Sequence, residues 1–334
     1  MAKILSKNKL NDVIANLKSA GFSVFGPTKD ADLSFYGSIE NADQLALDLI
    51  LPDRTVKELF FPRTEPLMKF NIKKELVDMQ MISPPDTRRI IFGTRPCDAA
   101  GLDIDDALFG WDYKDNYWFK RRNASTIVSI ACTSADEFCL CTSLKLSPDS
   151  TKGSDVLLRP LSDKSGWQIE SITEKGKAFA EQIKNSLEES ELKPAAIASV
   201  PLKFDIEKAA KWLAKSENFD NPLWTQISQR CIGCGACTFL CPTCHCFDIQ
   251  DEADTYRGMR RKNWDSCSFA IFTLHTSGHN PRANQASRWR QRIMHKFNYY
   301  PEKFSVNACT GCGRCSRKCP VDMGIVETLR EISK

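Results

Sequence analysis

The stretch CIGCGACTFLCP starts at Cys231, and its spacing returns at Cys309 as CTGCGRCSRKCP. Each copy reads Cys-x2-Cys-x2-Cys-x3-Cys-Pro, the spacing of bacterial ferredoxins. Three thiolates on one tight loop reach three irons of a cubane, and the fourth, ahead of proline, ligates the other cluster. The doubled motif therefore requires the two loops to fold against each other. Gly233, Gly235, Gly311 and Gly313 permit the sharp turns and leave amides free to point at sulfur. The expected sets are Cys231, Cys234, Cys237 and Cys319 on one [4Fe–4S] cluster, and Cys309, Cys312, Cys315 and Cys241 on a second. Two zinc knots are the alternative, but zinc sites pair two cysteines from one knuckle with two from another.

The chain has 334 residues and 15 cysteines. An odd count in a chain without a secretory leader argues against a disulfide framework and for metal or catalysis. The N-terminus has no apolar core of a signal peptide and reads as an amphipathic helix, so a cytoplasmic location is expected. No run of eighteen apolar residues exists, which argues against membrane insertion. The net charge of +4 is small, but residues 256–298 carry nine Lys or Arg and one acid, Asp265. That segment suits an acidic partner or a positive field around anionic clusters. No recognisable stacking motif accompanies the arginines, so nucleic acid is not expected.

Leu10, Val13, Ile14 and Leu17 repeat at helical spacing. Residues 22–25 and 33–36 read as strands and 42–51 as a short helix. RRIIF, a helix over 98–108 and TIVSIA suggest a crossover between parallel strands. A hairpin around DKSG, a helix over 174–187 and a polar linker at 188–194 follow. Helices are expected over 205–216 and 222–229. Two domains are expected, an α/β domain over 1–195 and a dicluster domain over 196–334.

Seven cysteines remain. Cys97 follows RRIIF and Cys132 follows TIVSIA, with Cys139 and Cys141 just beyond. Parallel neighbouring strands bring these to the carboxyl edge of the sheet, where α/β folds place ligands. A third [4Fe–4S] cluster is expected there. Zinc and unligated packing are the alternatives, because Cys-x6-Cys-x-Cys is not a ferredoxin spacing. Asp98 is expected to cap the helix beside Cys97, and Arg95 to balance cluster charge. Cys244, Cys246 and Cys267 form either an additional metal site, with His245 the nearest further donor, or small buried residues beside the clusters.

RCIGCGACTFLCPTCHCFD, NWDSC, GHNPRANQASRWRQRIMHKF and CTGCGRCSRKCP together resemble the iron–sulfur β subunit of sulfhydrogenase-type NiFe hydrogenases. They are equally similar to the A subunit of anaerobic sulfite reductase. TRPCDAAGLD and ACTSADEFCLC extend the resemblance into the N-terminal half. It implies an electron-transfer subunit relaying between a flavin-containing, nicotinamide-handling subunit and a catalytic subunit. It also implies a mainly α-helical C-terminal dicluster ferredoxin-like domain. The 67 residues between Cys241 and Cys309 suit that better than a compact βαβ ferredoxin. A self-contained flavin-dependent reductase is the alternative, although no G-x-G-x-x-G follows a strand.

Overall fold

The computed structural model describes residues 2–74 and 76–334. β1 (Ala2–Ser6) leads into α1 (Leu10–Ser19), whose four periodic apolar residues are all buried. β2 (Ser23–Asp30) and β3 (Leu33–Ser38) pair antiparallel, as do β4 (Thr64–Lys73) and β5 (Leu76–Met81). Then come β6 (Arg89–Thr94), α2 (Pro96–Phe109), α3 (Asn116–Asn123) and β7 (Ser125–Ile130). β8 (Val156–Pro160) and β9 (Gly166–Ser171) turn about DKSG, followed by α4 (Glu174–Gln182) and β10 (Leu187–Ser190).

The large sheet runs β10-β1-β9-β8-β7-β6-β2-β3. Its centre, β2, β6, β7 and β8, is parallel. Successive side chains of a strand leave on opposite faces. Accordingly Ile90, Phe92, Val128 and Ile130 join a core with α1, while Ile91 and Ile127 join another with Leu102, Phe109 and Trp118. Both faces are covered, so the central strands are apolar without alternation. The helix expected over 42–51 is only a single 3-10 turn, Ala42–Gln44.

The second half contains α5 (Ile206–Leu213), α6 (Leu223–Ser228), α7 (Ala236–Phe239), β11 (Phe247–Ala253) and β12 (Arg257–Trp264). α8 (Gln285–Met294) continues through one π turn, His295–Tyr299, into α9 (Tyr300–Phe304). α10 (Arg314–Arg317) and α11 (Ile325–Ile332) end the chain. Trp224, Trp289, Ile293, Phe297 and Leu329 form its core with Leu140 and Leu144 from the first half.

The C-terminal region is not clearly helical, contrary to expectation. β11 and β12 form a ribbon that joins β4 and β5 in a second sheet, ordered β11-β12-β4-β5. The ribbon has little apolar periodicity because β11 is exposed along its whole length. Backbone pairing and cross-strand charges hold it instead, such as Arg260 Nη2 on Asp251 Oδ2 at 2.7 Å. The two halves thus share a sheet. Between Ser190 and Ile206 the chain has no regular element beyond a bridge from Leu161 to Pro194. Among the described residues no helix is long and apolar enough to cross a membrane.

Candidate metal centres

Cys231, Cys234, Cys237 and Cys319 line one cavity. Gly233 and Gly235 take φ of +68° and +76° there, a left-handed conformation that costs a side-chain-bearing residue. The loop so curled starts α7, which carries Cys237. Gln285 Nε2 donates to Cys231 Sγ at 2.9 Å, and the Met323 amide donates to Cys319 Sγ at 3.2 Å.

Cys241, Cys309, Cys312 and Cys315 line a second cavity, with Arg292 and Lys296 in its wall. The symmetric loop uses Gly311 and Gly313 at φ +69° and +73°. In each cavity the fourth cysteine comes from the other loop, which is how the folded motif halves interlock.

Cys97, Cys132, Cys139 and Cys141 line a third cavity. β6 and β7 are parallel neighbours, so Cys97, in the first turn of α2, and Cys132, two residues past β7, emerge at one edge of the sheet. The Leu140 amide donates to Gly311 O at 3.0 Å, drawing Cys141 onto the second motif loop. Gly311 and Cys312 line both the second and the third cavity. Burial pushes the Cys139 and Cys141 thiols up to about 11, Cys312 to about 11 and Cys309 to about 12. Without a cationic group bound these thiols hold their protons, and a metal must displace them.

A single zinc draws its thiolates to about 2.3 Å from one point. Among the described residues no three His, Cys, Asp or Glu side chains close on such a point. Each group of four cysteines instead lines a cavity.

Asp98 does not cap α2, because Arg95 holds the N-cap position. Its carboxylate receives Arg314 Nη1 and Nη2 at 2.6 and 2.7 Å and Tyr36 Oη at 2.9 Å. Arg95 donates to the Leu47 and Leu49 carbonyls, anchoring the 42–51 loop, and its charge partly offsets the burial that raises the Cys132 thiol pKa.

The basic segment was expected to face an acidic partner or to set a positive field around the clusters, and sequence reasoning did not place two of its cations, Arg292 and Lys296, in the interior. Arg292 Nη1 lies 3.4 Å from Cys244 Sγ, and Nη2 donates to Cys237 O at 2.7 Å. Lys296 Nζ lies 3.3 Å from Cys241 Sγ and donates to Thr243 Oγ1 and Ala308 O. The π turn sets Lys296 in this position, four residues after Arg292. Neither cation forms an ion pair with a carboxylate among the described residues. Burial works to lower both pKa values, and the neighbouring Cys241 and Cys244 thiols, with Cys237 beside Arg292, outweigh it and raise them. Two buried positive charges that meet sulfur and neutral oxygens but no carboxylate are costly unless that sulfur is anionic. The donor set therefore fits thiolate-bound iron–sulfur groups.

Cys244, Cys246 and Cys267 lie near Arg292. Cys246 shares a hydrogen bond with Cys267, which lowers the Cys246 pKa. Lys57, also buried, donates to Cys244 O at 2.5 Å and lies over the Trp264 ring. His245 Nδ1 is 3.8 Å from Asp105 Oδ1, and burial, then Lys296 and Lys57, depress its pKa to about 3. It is neutral. The arginines of the basic segment have separate roles. Arg292 is internal, and Arg290 pairs with Asp220 over the Phe219 ring. Arg288 donates to Gln285 Oε1 and to the Arg282 and Ala283 carbonyls.

Comparison with known proteins agrees with the motif halves. Residues 230–323 match the model of a 4Fe-4S dicluster domain. Sulfhydrogenase 2 subunit beta of Pyrococcus furiosus is 30% identical over 331 residues, covering 95% of this chain and 93% of that protein. The chain belongs to the sulfhydrogenase β-subunit family. No solved structure matches it. The match spans both halves, so the third cavity and the second sheet lie within the aligned length as well.

Proposed function

We propose that the chain is the electron-transfer iron–sulfur subunit of a cytoplasmic, multi-subunit oxidoreductase, passing electrons between a flavin-containing subunit and a catalytic subunit. One observation carries this reading. Three cavities, each walled by four cysteines, lie in sequence, and adjacent ones share structure: Cys312 and Gly311 between the third and second, α8 between the second and first. Four thiols per cavity supply a complete ligand set for one [4Fe–4S] group. The sets proposed are Cys231, Cys234, Cys237 and Cys319; Cys309, Cys312, Cys315 and Cys241; and Cys97, Cys132, Cys139 and Cys141. Bound there, each group supplies reversible one-electron transfer.

The chain's own residues place and bias those sites. The Gln285 side chain and the Met323 amide donate to thiols of the first cavity, and such bonds stabilise charge on sulfur. Arg292 holds positive charge between the first two cavities and Lys296 holds it in the wall of the second, which favours an added electron. Cys244, Cys246 and Cys267 are read as thiols packed around Arg292, outside the three ligand sets.

Iron and acid-labile sulfide counts on the anaerobically purified chain test the reading. About twelve of each are expected, four per cavity. A count near eight leaves only the two motif sites, and Cys97→Ser would then leave the count unchanged. Bound flavin on the isolated chain would favour a self-contained reductase instead.

A further inference from the structure

All fifteen cysteines fall within the described residues, and Cys234 is the one classed as exposed. It lies on the loop 232–235 of the first cavity. Ile232 in that loop is 66% exposed. The loop packs on the segment that follows Ser266: a Cβ on Gly235 would meet the Phe269 ring at 2.7 Å, and one on Gly233 would meet Ser268 O at 3.4 Å. That segment then presents Ile271, 72% exposed, and Leu274, 50% exposed. Asn280 secures it, through Thr273 Oγ1 at 2.8 Å and the Ala270 carbonyl at 2.6 Å. Large exposed apolar side chains on two segments that pack on each other mark an interaction surface.

The segment that builds this patch is basic, with Asp265 and Asp322 at its border. Residues 266–301 contain no Asp or Glu. Arg230 is exposed and donates only to the Asp322 carbonyl. The Arg282 amide is held by Asn280 Oδ1 at 2.9 Å. Arg288 is braced from its own helix against Gln285, which itself touches Cys231. Among the described residues none of these three arginines forms an ion pair, whereas Arg290 on the same helix does.

We propose that the Cys234 loop is the port through which this chain exchanges electrons with an acidic redox protein. Ile232, Ile271 and Leu274 form the apolar centre of the docking surface, and Arg230, Arg282 and Arg288 form its cationic rim. The inference rests on the reading that the first cavity holds a [4Fe–4S] group. One electron crosses from that group to an oxidised one-electron cofactor in the partner, and no covalent bond changes. An apolar centre with a charged rim gives orientation at the centre and steering at the rim. The first cavity shares lining structure only with the second among the three, so the port is at an end of the series.

The test uses the whole chain, reduced anaerobically, and two acceptor proteins of opposite charge: acidic rubredoxin and basic cytochrome c. Stopped-flow absorbance gives second-order rates at low and high ionic strength. The rubredoxin rate should fall as salt rises, and the cytochrome c rate should not. Arg230→Glu with Arg282→Glu should lower the low-salt rubredoxin rate at least about fivefold, since steering depends on local charge. Lys177→Glu, on α4, should leave it unchanged. Iron is counted first in every variant, with Cys237→Ser marking loss from the first cavity. A chain without iron in that cavity overturns the functional reading and this inference together. An iron-replete chain whose rubredoxin rate ignores salt and the double substitution overturns this inference alone.

Discussion

Asp98→Ala breaks the most deeply buried ion pair of the structure. The two partners are 0% and 1% exposed and meet through two charge-assisted bonds of 2.6 and 2.7 Å. Arg314 Nε also donates to Pro52 O at 2.8 Å, so the guanidinium is fixed in place when the carboxylate is lost. It cannot swing to solvent. Removing one partner of a buried pair costs about 3–5 kcal/mol, because the remaining charge is left unpaired. An unfolding entropy of about 2.1 cal/mol/K per residue gives roughly 0.7 kcal/mol/K for a chain of this size. The melting temperature should therefore fall by about 4–7 °C if unfolding is cooperative. Asp98 follows Cys97, and Arg314 lies between Cys312 and Cys315, so the same change should loosen the second and third cavities and lower iron content. Asp98→Leu with Arg314→Met removes both charges. Because apolar replacement of a whole pair is often neutral, the double variant should recover most of the loss. The assay is calorimetry on the anaerobic chain with iron counted in parallel. A shift below about 1 °C for Asp98→Ala, or a double variant as unstable as the single one, would refute the buried-charge account.

Cys241→Ser should remove iron from the Cys309 group and Cys319→Ser from the Cys231 group; if electron paramagnetic resonance shows each change emptying the cluster of its own motif, the crossed ligation is wrong. Lys296→Met deletes a buried charge 3.3 Å from Cys241 Sγ and should lower the potential of the second site by on the order of 50 mV, about a tenfold change in its reduction constant. An unchanged potential in a spectroelectrochemical titration would assign Lys296 to packing alone. Gly311→Ala puts a Cβ 2.6 Å from Cys141 Cα at a φ of +69°, so iron should be lost from both the second and third groups, with the first retained. Loss from a single site would mean that Gly311 does not join the two cavities.

The cysteine groups were legible because ligand spacing is a local property. Three thiols on one loop stay together whatever the rest of the chain does, and the ends of parallel strands share an edge whenever the strands are neighbours. The ribbon β11–β12 was not legible, because its stability comes from pairing with β4, more than a hundred residues away, and from exposed charge pairs. Nothing in an 18-residue stretch rich in Asp, Arg and Lys separates that from a solvated loop. The burial of Arg292 and Lys296 was hidden for a different reason: their basic segment suited either a surface facing a partner or a field around the clusters, and only the packing of α8 and the turn after it against Cys237 and Cys241 buries them. Their i, i+4 spacing put them on one face, and Trp289 and Ile293 on the same helix showed that a face of it was buried. A basic helix with aromatic and aliphatic residues interleaved, lying between two cysteine motifs, is thus a readable signal for cations directed inward at sulfur. Residues 1–195 expressed alone are, for the same reason, no test of the third cavity. That fragment lacks Gly311 and Cys312, which wall the third cavity, and Arg314, which neutralises Asp98 beside Cys97. Its failure to hold iron would report a missing wall and an unpaired charge rather than a missing ligand set. The full-length chain with Cys97→Ser or Cys132→Ser is the sound comparison, because it alters one thiol and leaves the wall and the ion pair intact.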